Sequence, residues 1–107
     1  MQRYGSVIGL RPEHMAEYKR LHADVWPQVL AQIKASNIRN YSIYRYGDLL
    51  FSYYEYVGED LEADLEAMAA DPVTTQWWAL CEPLQRPVPE RGPGQWWHAL
   101  PEVFHVD

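Results

Sequence analysis

The chain has 107 residues, 48% of them hydrophobic, with a formal net charge of −6 at pH 7. That length suits one domain, residues 1–107, around one core, and that apolar fraction excludes a disordered chain. The acidic balance without any Lys/Arg cluster argues against a nucleic-acid partner, and no apolar run nears the roughly 18 residues of a membrane span.

In chain order, Arg3 to Leu10 reads as a first strand. The start MQRYGSVIGLRP has no apolar h-region, so no secretory signal is expected. Pro12 suits the first position of a helix, where its missing N–H is not needed. Met15, Tyr18, Leu21 and His22 then fall at helical spacing within Glu13 to Ala23. The ring of Pro27 would clash with the carbonyl of Ala23, which predicts a kink or a break. A second helical segment, Pro27 to Ala35, ends at Ser36-Asn37.

Asn40 to Tyr46 and Leu49 to Val57 are rich in tyrosine and aliphatic residues and read as strands. Gly47-Asp48 between them predicts a type II′ hairpin. A helix follows over about Asp60 to Ala69, and Asp71-Pro72 starts another, with Asp71 as N-cap, running to about Glu82. The acidic residues Glu59, Asp60, Glu62, Asp64 and Glu66 are expected to form a solvated helix face. From Pro83 to Pro101 five prolines and two glycines forbid long regular structure, and a last strand is predicted over about Glu102 to Val106.

The order β-α-β-β-α-β is the ferredoxin-like α+β arrangement. In β-strand alternation, Tyr41, Ile43 and Arg45 oppose Ser42, Tyr44 and Tyr46, while Leu49, Phe51 and Tyr53 oppose Leu50, Ser52, Tyr54 and Tyr56. Neither face is cleanly polar. Helices cover only one face in this topology, so the other calls for a partner subunit, a loop or a ligand. A face-to-face homodimer is expected.

The spacing Tyr18-x3-His22-x3-Trp26 is the clearest chemical feature. Residues four apart on a helix differ by about 40° around its axis, so a phenol, an imidazole and an indole gather on one side. The phenol can donate or accept a hydrogen bond, the imidazole moves protons near neutral pH, and the indole offers a flat apolar surface. Such a trio suits a sugar or another hydroxylated ring; a semi-polar core stripe is the plainer reading. His22 is the best acid/base candidate. Trp77-Trp78 is the second unusual feature, with adjacent helical residues about 100° apart, so that one packs in the core while the other lines a cavity. Trp96-Trp97 is expected to pin the proline-rich loop to the fold, the plainer reading, or to cap the cavity. Tyr41 is a further candidate ligand for a sugar oxygen.

A single cysteine, Cys81, rules out an internal disulfide framework and fits a reducing cytoplasm. It reads as a small buried hydrophobe and not as a nucleophile. His14, His22, His98 and His105 lie in no metal-ligand spacing, and no nucleotide, flavin or paired-carboxylate motif is present, so neither metal nor cofactor is expected.

Taken together, Glu17-Tyr18 through His22, Trp26-Pro27, Asn40-Tyr41-Ser42-Ile43-Tyr44, Leu49-Leu50-Phe51, Trp77-Trp78 and Glu102-Val103-Phe104 resemble the L-rhamnose mutarotase family over most of the chain. The resemblance implies a small cytoplasmic homodimer that interconverts the α and β anomers of L-rhamnose without a cofactor. It implies His22 as the catalytic histidine, donating a proton to the ring oxygen while a second group or a water takes the anomeric proton. It implies Tyr18, Tyr41, Trp77 and Trp78 as sugar-binding residues; Trp26, from its place in the helical spacing, is expected as a further lining residue. Two departures stand out. The family commonly has an acidic residue after Trp-Pro, where this chain has Gln28, and the segment Arg91 to Trp97 is unlike the family's. Both bear on which sugar fits. The competing expectations are a cofactor-free monooxygenase or haem-binding protein of the wider dimeric α/β-barrel superfamily, and a non-enzymatic small-ligand binding module.

Overall fold

The computed structural model describes residues 1–107. β1 (Gln2–Leu10) leads through a 3-10 turn at Pro12–His14 into α1 (Met15–His22) and α2 (Pro27–Ala35). β2 (Ile38–Tyr46) and β3 (Leu49–Tyr56) form a hairpin, followed by α3 (Leu61–Ala70) and α4 (Pro72–Cys81). Two short strands, β4 (Gln85–Arg86) and β5 (His98–Leu100), complete the chain. The antiparallel sheet runs β2-β3-β1-β4, with β5 also on β1, which is the ferredoxin-like order. No helix is long and apolar enough to cross a membrane.

Local chemistry accounts for most boundaries. Pro27 sits at the first position of α2 and produces a break, not a kink, with Trp26 as the preceding cap residue. Asn37, just past α2, takes the left-handed φ of 63° that satisfies a helix end. The Tyr46–Leu49 pair closes the two-residue loop Gly47-Asp48, where Gly47 alone has positive φ (59°), as a type II′ turn requires. The Asp71 carboxylate accepts from the Thr74 N–H at 2.9 Å and from the Thr74 hydroxyl at 2.7 Å, capping α4.

The core lies between the sheet and the helices. Ile8 and Leu10 of β1, both 0% exposed, pack with Leu50, Tyr18 and Leu84. Full burial of such a side chain contributes about 1.5–3 kcal/mol. A second cluster joins α2 to α4 through Val29, Trp77 and Cys81. Gly9 allows β4 to approach β1, since a Cβ there would lie 2.4 Å from the Arg86 carbonyl oxygen.

Two expectations are corrected. Glu102 to Val106 is not a strand: the edge strand is Gln85–Arg86 continued by His98–Leu100, and the tail beyond it has no regular structure and is exposed. Leu10 pairs with Gln85 and Gly9 with Arg86, while Val7 pairs with His98, Ser6 with Ala99 and Gly5 with Leu100. Only the partner of Ile8 is missing, so β4 and β5 are one edge strand interrupted by residues 87–97. The alternating apolar tail carried a strand pattern, but the second edge of β1 was already taken by Gln85–Arg86 and His98–Leu100. The acidic run is also not wholly a solvated face. Asp60 caps α3 by accepting from Ala63, and half-buried Asp64 accepts from the Tyr56 hydroxyl and, at 3.0 Å, from Asn37.

Candidate active site

A cavity of about 590 Å³ lies between the helices and the sheet. α1 supplies Tyr18 and His22, α4 supplies Trp77, Trp78 and Cys81, and the strands supply Tyr41, Ile43, Tyr54 and Gln85. Trp96 and Trp97 of the 87–97 excursion also line it. A second recess of about 350 Å³ shares Tyr18, His22 and Ile43 and brings in Lys19 and Arg45.

The helical spacing does what the sequence reading expects of it at two of three positions. Tyr18 and His22 stack, with ring centroids 4.1 Å apart and planes at 22°. The Trp77 ring meets His22 edge-on at 5.4 Å. Trp26 lies behind Trp77, edge-on at 5.3 Å, and is not among the cavity-lining residues. The break before Pro27 is the reason: it turns Trp26 off the face that α1 presents. Both tryptophans of the Trp77-Trp78 pair line the cavity, Trp77 buried and Trp78 half-buried.

Tyr41 reaches the cavity through a β-bulge. Arg39 pairs with Glu55 and Ser42 with Tyr53, so Asn40 and Tyr41 together oppose Tyr54. Asn40 takes a φ of 50° to make the extra step. Counting from buried Ile38, strict alternation would put Asn40 and Ser42 on the inner face; the bulge puts Tyr41 and Ile43 there instead. The Tyr41 and Tyr54 rings lie 5.8 Å apart.

The electrostatics of these groups follow from burial. His22 Nδ1 lies 2.9 Å from the Tyr18 carbonyl oxygen. A carbonyl only accepts, so Nδ1 carries a proton and Nε2 is the nitrogen left to exchange one. Desolvation lowers the His22 pKa, opposed by that backbone bond, so the ring is neutral at pH 7 and Nε2 holds a lone pair. Burial raises the pKa of Tyr18, 4% exposed, and pushes that of Tyr41 up to about 12. Tyr41 is nonetheless 42% exposed, its ring leaning against that of Tyr54. Both phenols are therefore protonated donors across the physiological range. Burial likewise pushes the Cys81 thiol up to about 11, which leaves a small apolar lining group.

Among the lining residues, Gln85 and Tyr54 were not singled out from the sequence, while Trp96 and Trp97 form the cavity wall that was the second expectation for that pair. Gln85 is buried and bonds to both Tyr18 and Trp96. It lies in a proline-rich stretch with no periodicity to mark it. Gln28 is exposed at the second position of α2 and lines neither cavity, so an acidic residue there would act on the helix terminus.

The sequence profile of L-rhamnose mutarotase matches residues 3–106. The chain belongs to the L-rhamnose mutarotase family. Among curated relatives, the L-rhamnose mutarotase of Phocaeicola vulgatus is 31% identical, with full coverage of both chains. The L-fucose mutarotase of Xanthomonas campestris is 34% identical over 97% of this chain and 87% of its own. The crystal structure of an L-rhamnose mutarotase from Formosa agariphila superposes with a TM-score of 0.78 at 21% identity, covering all of both chains, which shows the shared fold. Family membership favours a mutarotase, an isomerase, over the monooxygenase, haem-binding and binding-module alternatives. The family profile spans the Trp26-Pro27-Gln28 step and the 87–97 excursion alike.

Proposed function

We propose that this chain is a cytoplasmic aldose mutarotase acting on L-rhamnose or a related sugar, with His22 as the catalytic residue. The observation that carries the reading is the disposition of the His22 ring. One nitrogen is tied to the helix backbone, the other is an unprotonated lone pair, and the ring stands in a cavity walled by indoles and phenols. Trp77 and Trp78 offer flat faces for the C–H surface of a sugar ring, and Tyr18 and Tyr41 offer hydroxyls for its oxygens.

The chemistry needs no cofactor. Neutral His22 Nε2 takes the proton of the anomeric hydroxyl. Its oxygen becomes the aldehyde oxygen as the bond from the anomeric carbon to the ring oxygen breaks, and the electron pair of that bond goes to the ring oxygen. The imidazolium then returns the proton to the ring oxygen. The two oxygens share one carbon, so one nitrogen reaches both in turn. Rotation of the aldehyde and the reverse transfers give the other anomer. General acid–base help of this kind is worth about 10² to 10⁴ in rate. The lowered pKa makes His22 a base first and an acid second, reversing the order in which a simple proton donor would act.

The test is NMR anomer exchange: one anomeric proton is saturated and the other observed, with L-rhamnose and then L-fucose. Acceleration with either sugar, lost in folded His22→Ala, is the expected result. No acceleration with any aldose refutes the reading.

A homodimer belongs to the same proposal. Val103, Phe104 and Val106 are 94%, 79% and 73% exposed, and Tyr44 and Tyr46 stand exposed on β2 on the sheet face opposite the helices. These are large apolar groups left in water by one chain, on its tail and on a sheet face that its own helices do not cover. Light scattering on the purified chain reads the mass directly.

A further inference from the structure

Tyr18 has a bond that fixes the direction in which it can act. Trp96 Nε1 lies 2.7 Å from Gln85 Oε1. An indole N–H only donates, so the side of the Gln85 amide that faces Trp96 is the carbonyl. The NH2 group is thereby turned toward Tyr18, with Nε2 3.3 Å from the phenolic oxygen. That NH2 group only donates, so it occupies a lone pair on the phenol. The phenolic proton is left to point elsewhere, and the cavity is the space that Tyr18 lines.

We propose that Gln85, set by Trp96, is a positioning residue that commits the Tyr18 hydroxyl to donate its proton into the cavity, onto a sugar oxygen. The ring oxygen is the best match. It is the one oxygen of a pyranose that carries no proton, so it can accept and never donate. It is also where negative charge gathers when the ring opens, and a donor already aimed there stabilises that charge without reorganising. The chain Trp96→Gln85→Tyr18→sugar has every donor pointing the same way, and bonds in such a line strengthen one another. Gln85 is itself held in place by the pairing of Gln85 with Leu10 in the sheet. The inference rests on the mutarotase reading and adds polarity to it.

Gln85→Glu separates this role from packing, because shape is kept while polarity is inverted. As a carboxylate, Glu accepts from both Trp96 and Tyr18 and draws the phenolic proton out of the cavity. As a carboxylic acid, it can donate to Tyr18 and restore the original direction. Anomer exchange is measured for wild type and Gln85→Glu between pH 5 and 9. The His22 titration of each is read by NMR, because a carboxylate near the ring raises its pKa. The ratio of the two rates is taken at each pH after correction for the fraction of neutral His22. The expected ratio is below about one-tenth at high pH, rising toward one as pH falls. Gln85→Leu, which can neither donate nor accept, covers the case in which the charged variant does not fold. It should lose about ten-fold at every pH, with no rise. In a Tyr18→Phe background both substitutions should add little, since the hydroxyl they act through is gone. A ratio independent of pH for folded Gln85→Glu, or full losses persisting in Tyr18→Phe, overturns the proposal while leaving the mutarotase reading intact. Failure of wild type itself to accelerate exchange removes both.

Discussion

Removing the His22 ring should abolish catalysis while leaving the fold. In His22→Ala the rate loss set by general acid–base catalysis is about 10² to 10⁴, equivalent to about 2.7–5.4 kcal/mol of transition-state stabilisation at 1.36 kcal/mol per factor of ten. The structural cost is smaller. The ring is half-buried, makes one hydrogen bond to the Tyr18 carbonyl and stacks on the Tyr18 ring. A net hydrogen bond is worth about 0.5–1.5 kcal/mol and an aromatic pair a similar amount, so the variant should lose about 1–3 kcal/mol and stay folded. The pH dependence has a definite sign. The folded-state pKa of His22 lies below its ordinary value near 6.5, so the base form is present at neutral pH, and exchange falls as pH drops through the folded value. The same displacement means that the unfolded chain binds the proton first. Stability is therefore full above the unfolded pKa and declines as pH falls through the folded one. NMR saturation transfer across pH 4.5–8, with circular dichroism on the same samples, reads both effects. A folded His22→Ala that keeps exchange within about ten-fold of wild type, or a wild-type rate that rises on acidification, refutes the assignment.

Other parts of the molecule give independent checks. Asp71→Ala removes a carboxylate that accepts two bonds from Thr74 and should cost about 1–2 kcal/mol, a fall in Tm of several degrees in a thermal melt. Gly9→Ala places a methyl group against the Arg86 carbonyl oxygen and should cost about 1–3 kcal/mol by forcing β4 off β1; exchange should fall with it, because Gln85 moves too. The Asp64 carboxylate is held below its ordinary pKa first by the Tyr56 hydroxyl and then by Asn37. Its contribution to stability is present above the unfolded value near 3.9 and lost as pH falls through the lower folded one, so urea midpoints of wild type and Asp64→Asn should differ at pH 7 and draw together as the pH falls below the unfolded value.

Much of this was legible because single residues carry strong local rules. Pro27, Asn37, Gly47 and Asp71-Pro72 each allow few backbone conformations, and each stands where those rules put it. The pairing of Tyr18 with His22 followed from helical periodicity alone. What escaped depends on distant parts of the chain. The bulge at Asn40 and Tyr41 exists because β3 offers one residue against two, which a single strand does not display. The tail was read as a strand from its apolar alternation, yet the edge of β1 was already occupied by Gln85–Arg86 and His98–Leu100, residues without a strand-like pattern. Gln85 acquires its meaning only from Tyr18 and Trp96, far from it in sequence or hidden in a loop.

The interrupted edge strand has an evolutionary consequence. Residues 87–97 leave the sheet beside Gly9 and rejoin it beside Val7, two residues apart on β1, a gap of about 7 Å at strand rise. That is an Ω-loop, a segment whose ends meet whatever its middle does. Lengthening such a loop adds only slowly to its closure entropy, and no register elsewhere shifts when it changes. Yet it delivers Trp96 and Trp97 into the cavity wall. Lineages can therefore vary one wall of the cavity within this loop while the stacking of Tyr18 on His22, built within α1, is kept, provided that Trp96 and its bond to Gln85 stay in place. Swapping this loop between relatives, with Trp96 retained so that Gln85 and Tyr18 stay set, is the natural engineering step for altering that wall.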